Sequence, residues 1–220
     1  MTTWPSAVLF DMDGTLIESH DNVERAWAAW AIARNLDPAA VIAMAHGVPA
    51  DVTVAQWLPD ASADEVADSA AELLALQYLD ADGIYVIEGV HDLLRFLDET
   101  PVPWAVYTSA DTDLARVRLQ AAGLTPPVLV TRDQVVNGKP EPDGYLRAAQ
   151  LLDVEPADCI VVEDTPAGIA AGRRAGMQTV GVRGIQGDLP IRSIPDLHLW
   201  LTVVHRPDDE SAPAFPFLLG

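Results

Sequence analysis

The chain has 220 residues, half of them hydrophobic, which is enough to bury a sizeable core as one domain with an insertion or as two small domains. Its 33 acidic and 13 basic residues give a net charge of −20, so neither nucleic acid nor an anionic membrane is an expected partner. No apolar run has the length of a spanning helix, the first residues lack a signal peptide's basic stretch, and the single cysteine, Cys159, favours a reducing, cytoplasmic setting.

The first predicted element is a short strand of buried type, residues 7–10, which ends at Asp11. From about residue 20 to residue 80, apolar residues recur at helical spacing, with Asp21 as the expected N-cap of the first helix. Ser62 and Glu65 have the spacing of a capping box at the start of the last helix in this block. Two shorter helices are predicted between these two, at residues 38–45 and 52–58.

After residue 83, short strands alternate with helices of about ten residues. The predicted strands are 104–107, 128–130, 160–162 and 178–182, and the predicted helices are 90–97, 114–122, 145–152 and 167–175. This alternation is typical of an α/β fold with a doubly wound, Rossmann-like parallel sheet covered by helices on both faces. The first strand belongs to that sheet, so the helical block is an insertion. We expect a core of residues 1–16 and 87–206, a small all-helical cap of residues 17–86, and a C-terminal tail of residues 207–220.

Polar residues whose side chains can act in catalysis or ligand binding lie where predicted strands end. In chain order they are Asp11 and Asp13, Thr108 and Ser109, Lys139, and Glu163 and Asp164. The carboxyl ends of parallel strands meet at one edge of the sheet, and ligands bind at that edge in open α/β folds. We therefore expect four groups that are distant in sequence to form one site.

This set of residue types suits attack on a phosphate. Asp11 can be the nucleophile, and Asp13, on the same side of an extended chain, can protonate the leaving oxygen. A carboxylate that attacks an anionic phosphate needs fixed positive charge, and Lys139 is the only lysine in the chain. The Thr108 hydroxyl and the Ser109 backbone N–H can bind the phosphate oxygens.

The acidic residues also predict a metal site. Asp11 and Asp164 offer hard oxygen ligands that suit Mg²⁺, and Glu163 would bind the ion directly or through water. A calcium-binding EF-hand loop is excluded, because Gly14 is the fourth residue of the acidic motif and Asn22 the twelfth. Alone, each motif is also compatible with helix caps, turns or a solvated surface.

Together, and in this order, the four motifs resemble the haloacid dehalogenase superfamily over nearly the whole chain. Similarity to sugar-phosphate, polyol-phosphate and glycerol-phosphate phosphatases extends to residues 23–27, 104–109, 138–143 and 161–168. The resemblance implies a Mg²⁺-dependent phosphatase that hydrolyses a small phosphorylated metabolite through an aspartyl-phosphate intermediate. It also implies that the Asp13 backbone carbonyl is a metal ligand, and that the insertion is a cap which closes over small substrates.

Single residues separate the chemistries of that superfamily. The dehalogenase branch lacks the second aspartate, which is present here as Asp13, and the phosphonate-cleaving branch needs a cap lysine, whereas residues 17–86 contain none. A hexose-phosphate mutase must hold a second phosphate with a cap arginine and a histidine. Ala50 and Val23 stand near those places, so hydrolysis is favoured and the mutase is the alternative.

Two further alternatives come from another class of protein. Receiver-like phospho-acceptor modules share an aspartate, Mg²⁺, a hydroxyl residue and a lysine, but their acidic pair comes first and they have no helical insertion. A catalytically silent binding module on the same fold is the other alternative.

The expected contacts with the organic part of the substrate are Glu18, His46 and Gly47. Substrate identity and oligomeric state are not specified by the sequence.

Overall fold

The computed structural model describes residues 4–45 and 50–204, and its centre is a five-stranded parallel sheet. The strands are β1 (Ala7–Phe10), β2 (Ile17–Glu18), β3 (Tyr85–Val86), β4 (Trp104–Tyr107), β5 (Leu129–Val130), β6 (Cys159–Glu163) and β7 (Gln178–Gly181). The order in the sheet is β5-β4-β1-β6-β7, while β2 and β3 form a separate antiparallel pair. The predicted α/β class with a doubly wound parallel sheet is confirmed.

Helices follow the strands in the predicted alternation. They are α1 (His20–Ala33), α2 (Pro38–Ala45), α3 (Ala50–Trp57), α4 (Ala63–Leu79), α5 (Val90–Asp98), α6 (Thr112–Ala121), α7 (Asp143–Leu151), α8 (Pro166–Arg174) and α9 (Ile194–Val204). None of the helices in the described ranges is long and apolar enough to cross a membrane.

Strand β1 shows why the sheet carries helices on both faces. Val8 and Phe10 lie in one apolar cluster, with residues of α5, α6 and α9, whereas Ala7 and Leu9 lie in a second cluster, with residues of α7 and α8. All four side chains are fully buried. A strand buried on both faces needs apolar residues at consecutive positions, which is the pattern of this segment.

The inserted helices α1–α4 have an apolar cluster of their own. Trp27, Trp30, Val41 and Leu73 are buried in it, and the Trp30 indole N–H donates to the Ser69 hydroxyl at 2.9 Å. The capping box predicted from Ser62 and Glu65 begins α4, with both of its reciprocal hydrogen bonds present. We refer to this block, α1–α4, as the cap, and that it closes over a substrate stays a prediction.

The start of α1 differs from the prediction. Its N-cap is Ser19, and Asp21 lies inside the first turn, where a negative charge still interacts favourably with the helix dipole. The Ser19 hydroxyl makes no capping bond, because it donates to an Asp13 carboxylate oxygen at 2.6 Å. Helix α9 and the β2–β3 pair, at the junction between core and cap, are two elements that the sequence pattern did not predict. The predicted tail, 207–220, lies outside the described residues.

Candidate active site

The motif residues meet at the carboxyl edge of the sheet. Asp11 follows β1, Thr108 follows β4, Glu163 ends β6 and Asp164 comes directly after it. Strand β1 lies between β4 and β6, so these three ends are neighbours. Lys139 comes from the loop between β5 and α7 and reaches the same edge.

Lys139 joins two of the carboxylates. Its ammonium group donates to Asp11 Oδ1, lies 2.6 Å from Glu163 Oε1 and is 3.3 Å from the Tyr107 carbonyl oxygen. The rings of Tyr107 and Tyr145 lie under the ammonium group, with centroids 4.9 Å and 5.5 Å away. Burial alone would lower the pKa of Lys139, but the adjacent carboxylates of Asp11 and Glu163 outweigh it and raise the pKa above its usual value. The lysine therefore provides a permanent positive charge beside Asp11.

Glu163 is completely buried and held at both carboxylate oxygens. The Tyr145 hydroxyl donates to Oε1 at 2.8 Å, and the Thr165 hydroxyl donates to Oε2 at 2.9 Å. Gly168 packs against this carboxylate so closely that a side chain at that position would overlap it. These contacts orient Glu163 towards Lys139, an arrangement the sequence did not indicate.

The carboxylates of Asp11, Glu163 and Asp164 form a group that can hold a metal ion, with ligand atoms all within 4.8 Å of one another. Asp164 Oδ1 is buried and has no hydrogen-bond partner among the described residues. Burial and the neighbouring Glu163 raise the pKa of Asp164 to about 6. Burial also raises the pKa of Asp11 well above its usual range, although Lys139 opposes the shift.

Three carboxylates thus face a single lysine, so acidic groups outnumber basic ones in the cluster in the absence of a bound cation. An all-oxygen donor set of this kind suits a hard divalent cation. Gly14 allows Asp164 to approach, since it has a positive φ of 81° and a Cβ there would overlap the Asp164 carboxylate. The residues present therefore fit the predicted metal.

The Asp13 carboxylate is not part of that group and has partners of its own. Its Oδ1 accepts from the Ser19 hydroxyl at 2.6 Å, and its Oδ2 lies 2.9 Å from Arg118 Nη1. The sequence analysis did not identify Arg118, because an arginine within a predicted helix has no local signal that distinguishes it from a surface residue. With its carboxylate engaged elsewhere, Asp13 has its backbone carbonyl as the donor for the predicted metal, and this role stays a prediction.

The residues predicted to bind phosphate differ in exposure. Thr108 is buried, and its hydroxyl accepts from the Ala110 backbone N–H at 3.0 Å, whereas Ser109 is exposed. They precede α6, whose N-cap Asp111 accepts from the backbone N–H groups of the first turn. Backbone N–H groups at the start of a helix favour anions, so this loop is compatible with the predicted phosphate contacts.

A cavity of about 170 Å³ lies between core and cap, lined on the core side by Asp13, Gly14 and Arg118. Asp13, Ser19 and Arg118 contribute polar groups to its wall, and Val23 and Trp27 contribute apolar groups. The cavity wall therefore offers both kinds of contact to a small polar molecule.

Of the predicted substrate contacts, only Glu18 lies among the described residues, since His46 and Gly47 fall in the gap at 46–49. Glu18 accepts from Arg183 at 2.5 Å and lies 3.1 Å from His20. Burial alone would raise the pKa of Glu18, but Arg183 and the His20 backbone N–H lower it overall. Glu18 lies in β2, where the chain enters the cap. Its predicted contact with substrate stays a prediction.

Comparison with known proteins gives the same assignment as the motifs. The haloacid dehalogenase-like hydrolase family matches residues 5–176. Hexitol phosphatase A from Escherichia coli K12 is 40% identical over 210 residues, which is 92% of this chain and 95% of that protein. Validoxylamine A 7'-phosphate phosphatase from Streptomyces hygroscopicus subsp. limoneus is 38% identical over 190 residues, 79% of this chain and 84% of that protein.

The fold is also shared with a mutase. The crystal structure of β-phosphoglucomutase from Clostridium difficile matches with a TM-score of 0.69 and 23% identity, covering 81% of this chain and 84% of that one. At this identity the likeness shows the fold alone, while the two relatives named above are phosphatases. The chain belongs to the haloacid dehalogenase-like hydrolases, and within that family it is a phosphoric monoester hydrolase.

Proposed function

We propose that this enzyme is a Mg²⁺-dependent phosphatase that removes phosphate from a small sugar, polyol or glycerol phosphate through a phosphoryl group carried on Asp11. The observation that carries the proposal is the buried Asp11 carboxylate, which is bonded to the chain's single lysine and belongs to a group of three carboxylates that can hold a metal ion. Hexitol phosphatase A, by its name, acts on a polyol phosphate, which supports the substrate assignment.

In the first step, an Asp11 carboxylate oxygen attacks phosphorus and the bond to the substrate oxygen breaks. Lys139 is placed to neutralise charge on the phosphoryl group as it transfers, because its ammonium group already contacts Asp11. Asp13 gives a proton to the leaving oxygen, which departs as an alcohol. Thr108 and Ser109 hold the phosphate oxygens during the transfer.

In the second step, a water molecule attacks the phosphorus of the Asp11 phosphoryl group. Asp13, now a carboxylate, accepts a proton from that water, and Asp11 leaves as a free carboxylate. Inorganic phosphate is released and Asp13 carries the proton for the next cycle. The cap covers the site during both steps and limits access of bulk water.

Asp11, Asp164, Glu163 and the Asp13 backbone carbonyl are the proposed ligands of Mg²⁺. The ion, when bound, supplies positive charge that reduces repulsion between the Asp11 carboxylate and the phosphate. The unpartnered Asp164 oxygen and the raised pKa values of Asp11 and Asp164 support this assignment. Glu163 contacts Lys139 in the structure, so its oxygens serve the lysine as well as the proposed metal.

The proposed substrate is a free metabolite, because the cavity beside Asp13 is small and cap residues form much of its wall. The single cysteine, Cys159, is buried and supports the proposal of a reducing, cytoplasmic setting. A mutase is the second candidate on this fold. The residues at Val23 and Ala50, in place of its histidine and arginine, are the specific observations against it.

The test is phosphate release from a panel of hexitol, hexose and glycerol phosphates with Mg²⁺, beside a chelator control and the Asp11→Asn variant. We expect turnover of at least one of these phosphates, with loss of turnover in both controls. Phosphorus NMR with a hexose 1-phosphate should show inorganic phosphate accumulating without the 6-phosphate isomer. Turnover in the presence of chelator would contradict the metal assignment, and the isomer as main product would favour the mutase.

A further inference from the structure

Arg118 connects the catalytic edge with the cap. It lies on α6 in the core, and its side chain is 6% exposed. One guanidinium nitrogen, Nη1, is 2.9 Å from Asp13 Oδ2. The other, Nη2, donates to Gln77 Oε1 on α4 at 2.7 Å and to Asn22 Oδ1 on α1 at 3.3 Å. A single side chain therefore contacts the proposed general acid and both of the long cap helices.

The cap contacts determine where this guanidinium lies. A buried arginine needs acceptors for its N–H groups, because an unsatisfied buried charge is strongly unfavourable. Gln77 and Asn22 supply acceptors from the cap, while Nε of Arg118 is buried without a partner among the described residues. Moving α1 and α4 away would remove both cap acceptors and release the guanidinium from its present position.

The position of the Asp13 carboxylate depends in turn on the position of the Arg118 guanidinium. Its carboxylate contacts the Ser19 hydroxyl on one oxygen and Arg118 on the other. Ser19 directly precedes α1, so this second contact also comes from the junction with the cap. A further bond, from the Tyr78 hydroxyl on α4 to Asp111 at 2.6 Å, holds the two helices α4 and α6 together beside Arg118.

We propose that Arg118 is a positioning residue that makes the placement of Asp13 dependent on docking of the cap helices α1 and α4. The proposal rests on the proposed function, in which Asp13 protonates the leaving oxygen. With the cap docked, the planar guanidinium holds Asp13 where it contributes to the wall of the substrate cavity. Asp13 is thereby ordered for proton transfer when the site is covered.

The leaving group distinguishes this role from a structural one. An alkyl alcohol is a poor leaving group and needs a proton from Asp13, whereas p-nitrophenolate leaves without one. Loss of general-acid catalysis should therefore reduce kcat/KM for an alkyl phosphate much more than for p-nitrophenyl phosphate. A loss of folded protein or of substrate access would reduce both values together.

The experiment compares Arg118→Met with Arg116→Met, an arginine on the same helix whose side chain is 71% exposed. For Arg118→Met, we expect kcat/KM to fall about 100-fold with glycerol or hexitol phosphate and less than about threefold with p-nitrophenyl phosphate. Arg116→Met should match the wild type on both substrates. Asp13→Asn should show the same selectivity, and adding Arg118→Met to it should cause little further loss, because the two residues act as a unit.

The cap half of the proposal is tested by Gln77→Leu, which removes one cap acceptor and does not touch Asp13. We expect the same selective loss, smaller than in Arg118→Met because Asn22 remains. Arg118→Lys keeps the charge without the planar fork and should lie between wild type and Arg118→Met. If Arg118→Met does not fold, as judged by circular dichroism, Arg118→Lys and Gln77→Leu still carry the test.

Equal losses on the two substrates, or none, would overturn the role of Arg118 and leave the proposed function intact. The proposed function itself fails on a different result, either normal turnover by Asp11→Asn or the absence of phosphate release from every phosphomonoester by the wild type. The two failures are therefore separable in one set of assays.

Discussion

The catalytic edge of the core and the helical cap are held together by different kinds of contact. At the edge, Asp11, Lys139 and Glu163 form a charged network with side chains that are 9%, 5% and 0% exposed. The cap instead packs around tryptophans such as Trp27 and Trp30, in an apolar cluster of its own. It meets α6 of the core through polar bonds, including those of Arg118 to Gln77 and Asn22.

This difference indicates that the core edge and the cap contribute differently to catalysis and stability. Buried charges are stable only with their partners in place, so the core edge is pre-organised and tolerates little change. Polar bonds between core and cap can be exchanged for bonds to water at a modest cost in free energy. Substitutions at the edge should therefore abolish chemistry, and substitutions in the apolar cluster inside the cap, away from the bonds to α6, should chiefly change stability.

The largest effect is expected for Asp11→Asn. Without this proposed nucleophile there would be no acceptor for the phosphoryl group, so kcat should fall by at least about 10⁴-fold. The amide has nearly the same shape as the carboxylate, and we expect the folded structure to persist. Steady-state phosphate release measures the loss, with circular dichroism as the control for folding. Activity within tenfold of the wild type would remove Asp11 from the mechanism.

Lys139→Met should come next, with two separate consequences. Loss of the fixed charge should lower kcat by about 10²–10³-fold. The carboxylates of Asp11 and Glu163 would also lose their common partner, which should reduce the free energy of unfolding by about 3–5 kcal/mol in the absence of metal. Kinetic assays and urea unfolding measure the two effects. Lys139→Arg is the matched control for charge, and we expect it to be impaired as well, because a wider planar group must fit the same buried space.

The catalytic edge was largely predictable from sequence, because its residues follow strands that have a local pattern. Asp11, Thr108 and Glu163 each lie at the end of an apolar run of four or five residues, and the parallel topology brings those ends together. The capping box of Ser62 and Glu65 is likewise a local signal, and it was confirmed.

Features that depend on long-range contacts were missed. Arg118 meets Asn22 across 96 positions of sequence, and nothing near Arg118 in the chain indicates that pairing. The β2–β3 pair has two residues in each strand, too few to show alternation. Asp21 was wrongly predicted as an N-cap because the Ser19 bond to Asp13, which fixes the entry to α1, is itself a tertiary contact.

A smaller effect is expected for Mg²⁺ binding in the core, which should weaken gradually as the pH falls. Since the pKa of Asp164 is raised to about 6 in the metal-free protein, a proton competes with Mg²⁺ at this oxygen below that pH. We expect the apparent Mg²⁺ affinity to fall by up to about tenfold per pH unit below pH 6.

The raised pKa of Asp164 also makes the stability of the metal-free protein depend on pH. The native state holds the Asp164 proton more tightly than the unfolded state does, so this contribution is present at low pH and is lost as pH rises through about 6. Calorimetric Mg²⁺ titrations and thermal unfolding between pH 5 and 8 measure both effects. Asp68→Asn, which alters an exposed cap carboxylate, is the control and should change neither. An affinity independent of pH would contradict the assignment of Asp164.

The smallest effect on chemistry is expected inside the cap. Trp30→Leu removes the bond to Ser69, the edge contact with Trp27 at 5.5 Å between centroids, and the aromatic face under the Arg34 guanidinium. The free energy of unfolding should fall by about 2–4 kcal/mol. Well below the melting temperature, kcat should stay within about threefold of the wild type. A loss of kcat as large as that of Lys139→Met would show that the two regions are not divided in this way.

The central claim is that the phosphoryl group passes through Asp11, and acid quenching during turnover tests it most directly. Asp13→Asn with p-nitrophenyl phosphate is the combination to use. This leaving group needs no proton in the first step, while loss of Asp13 slows the second step, so the phosphoenzyme accumulates. After mixing with this substrate and Mg²⁺, we expect one phosphoryl group on the peptide that contains Asp11, and none when Asp11 is also replaced by Asn. Turnover without phosphoenzyme at any quench time, or with the phosphoryl group on another residue, would contradict the account.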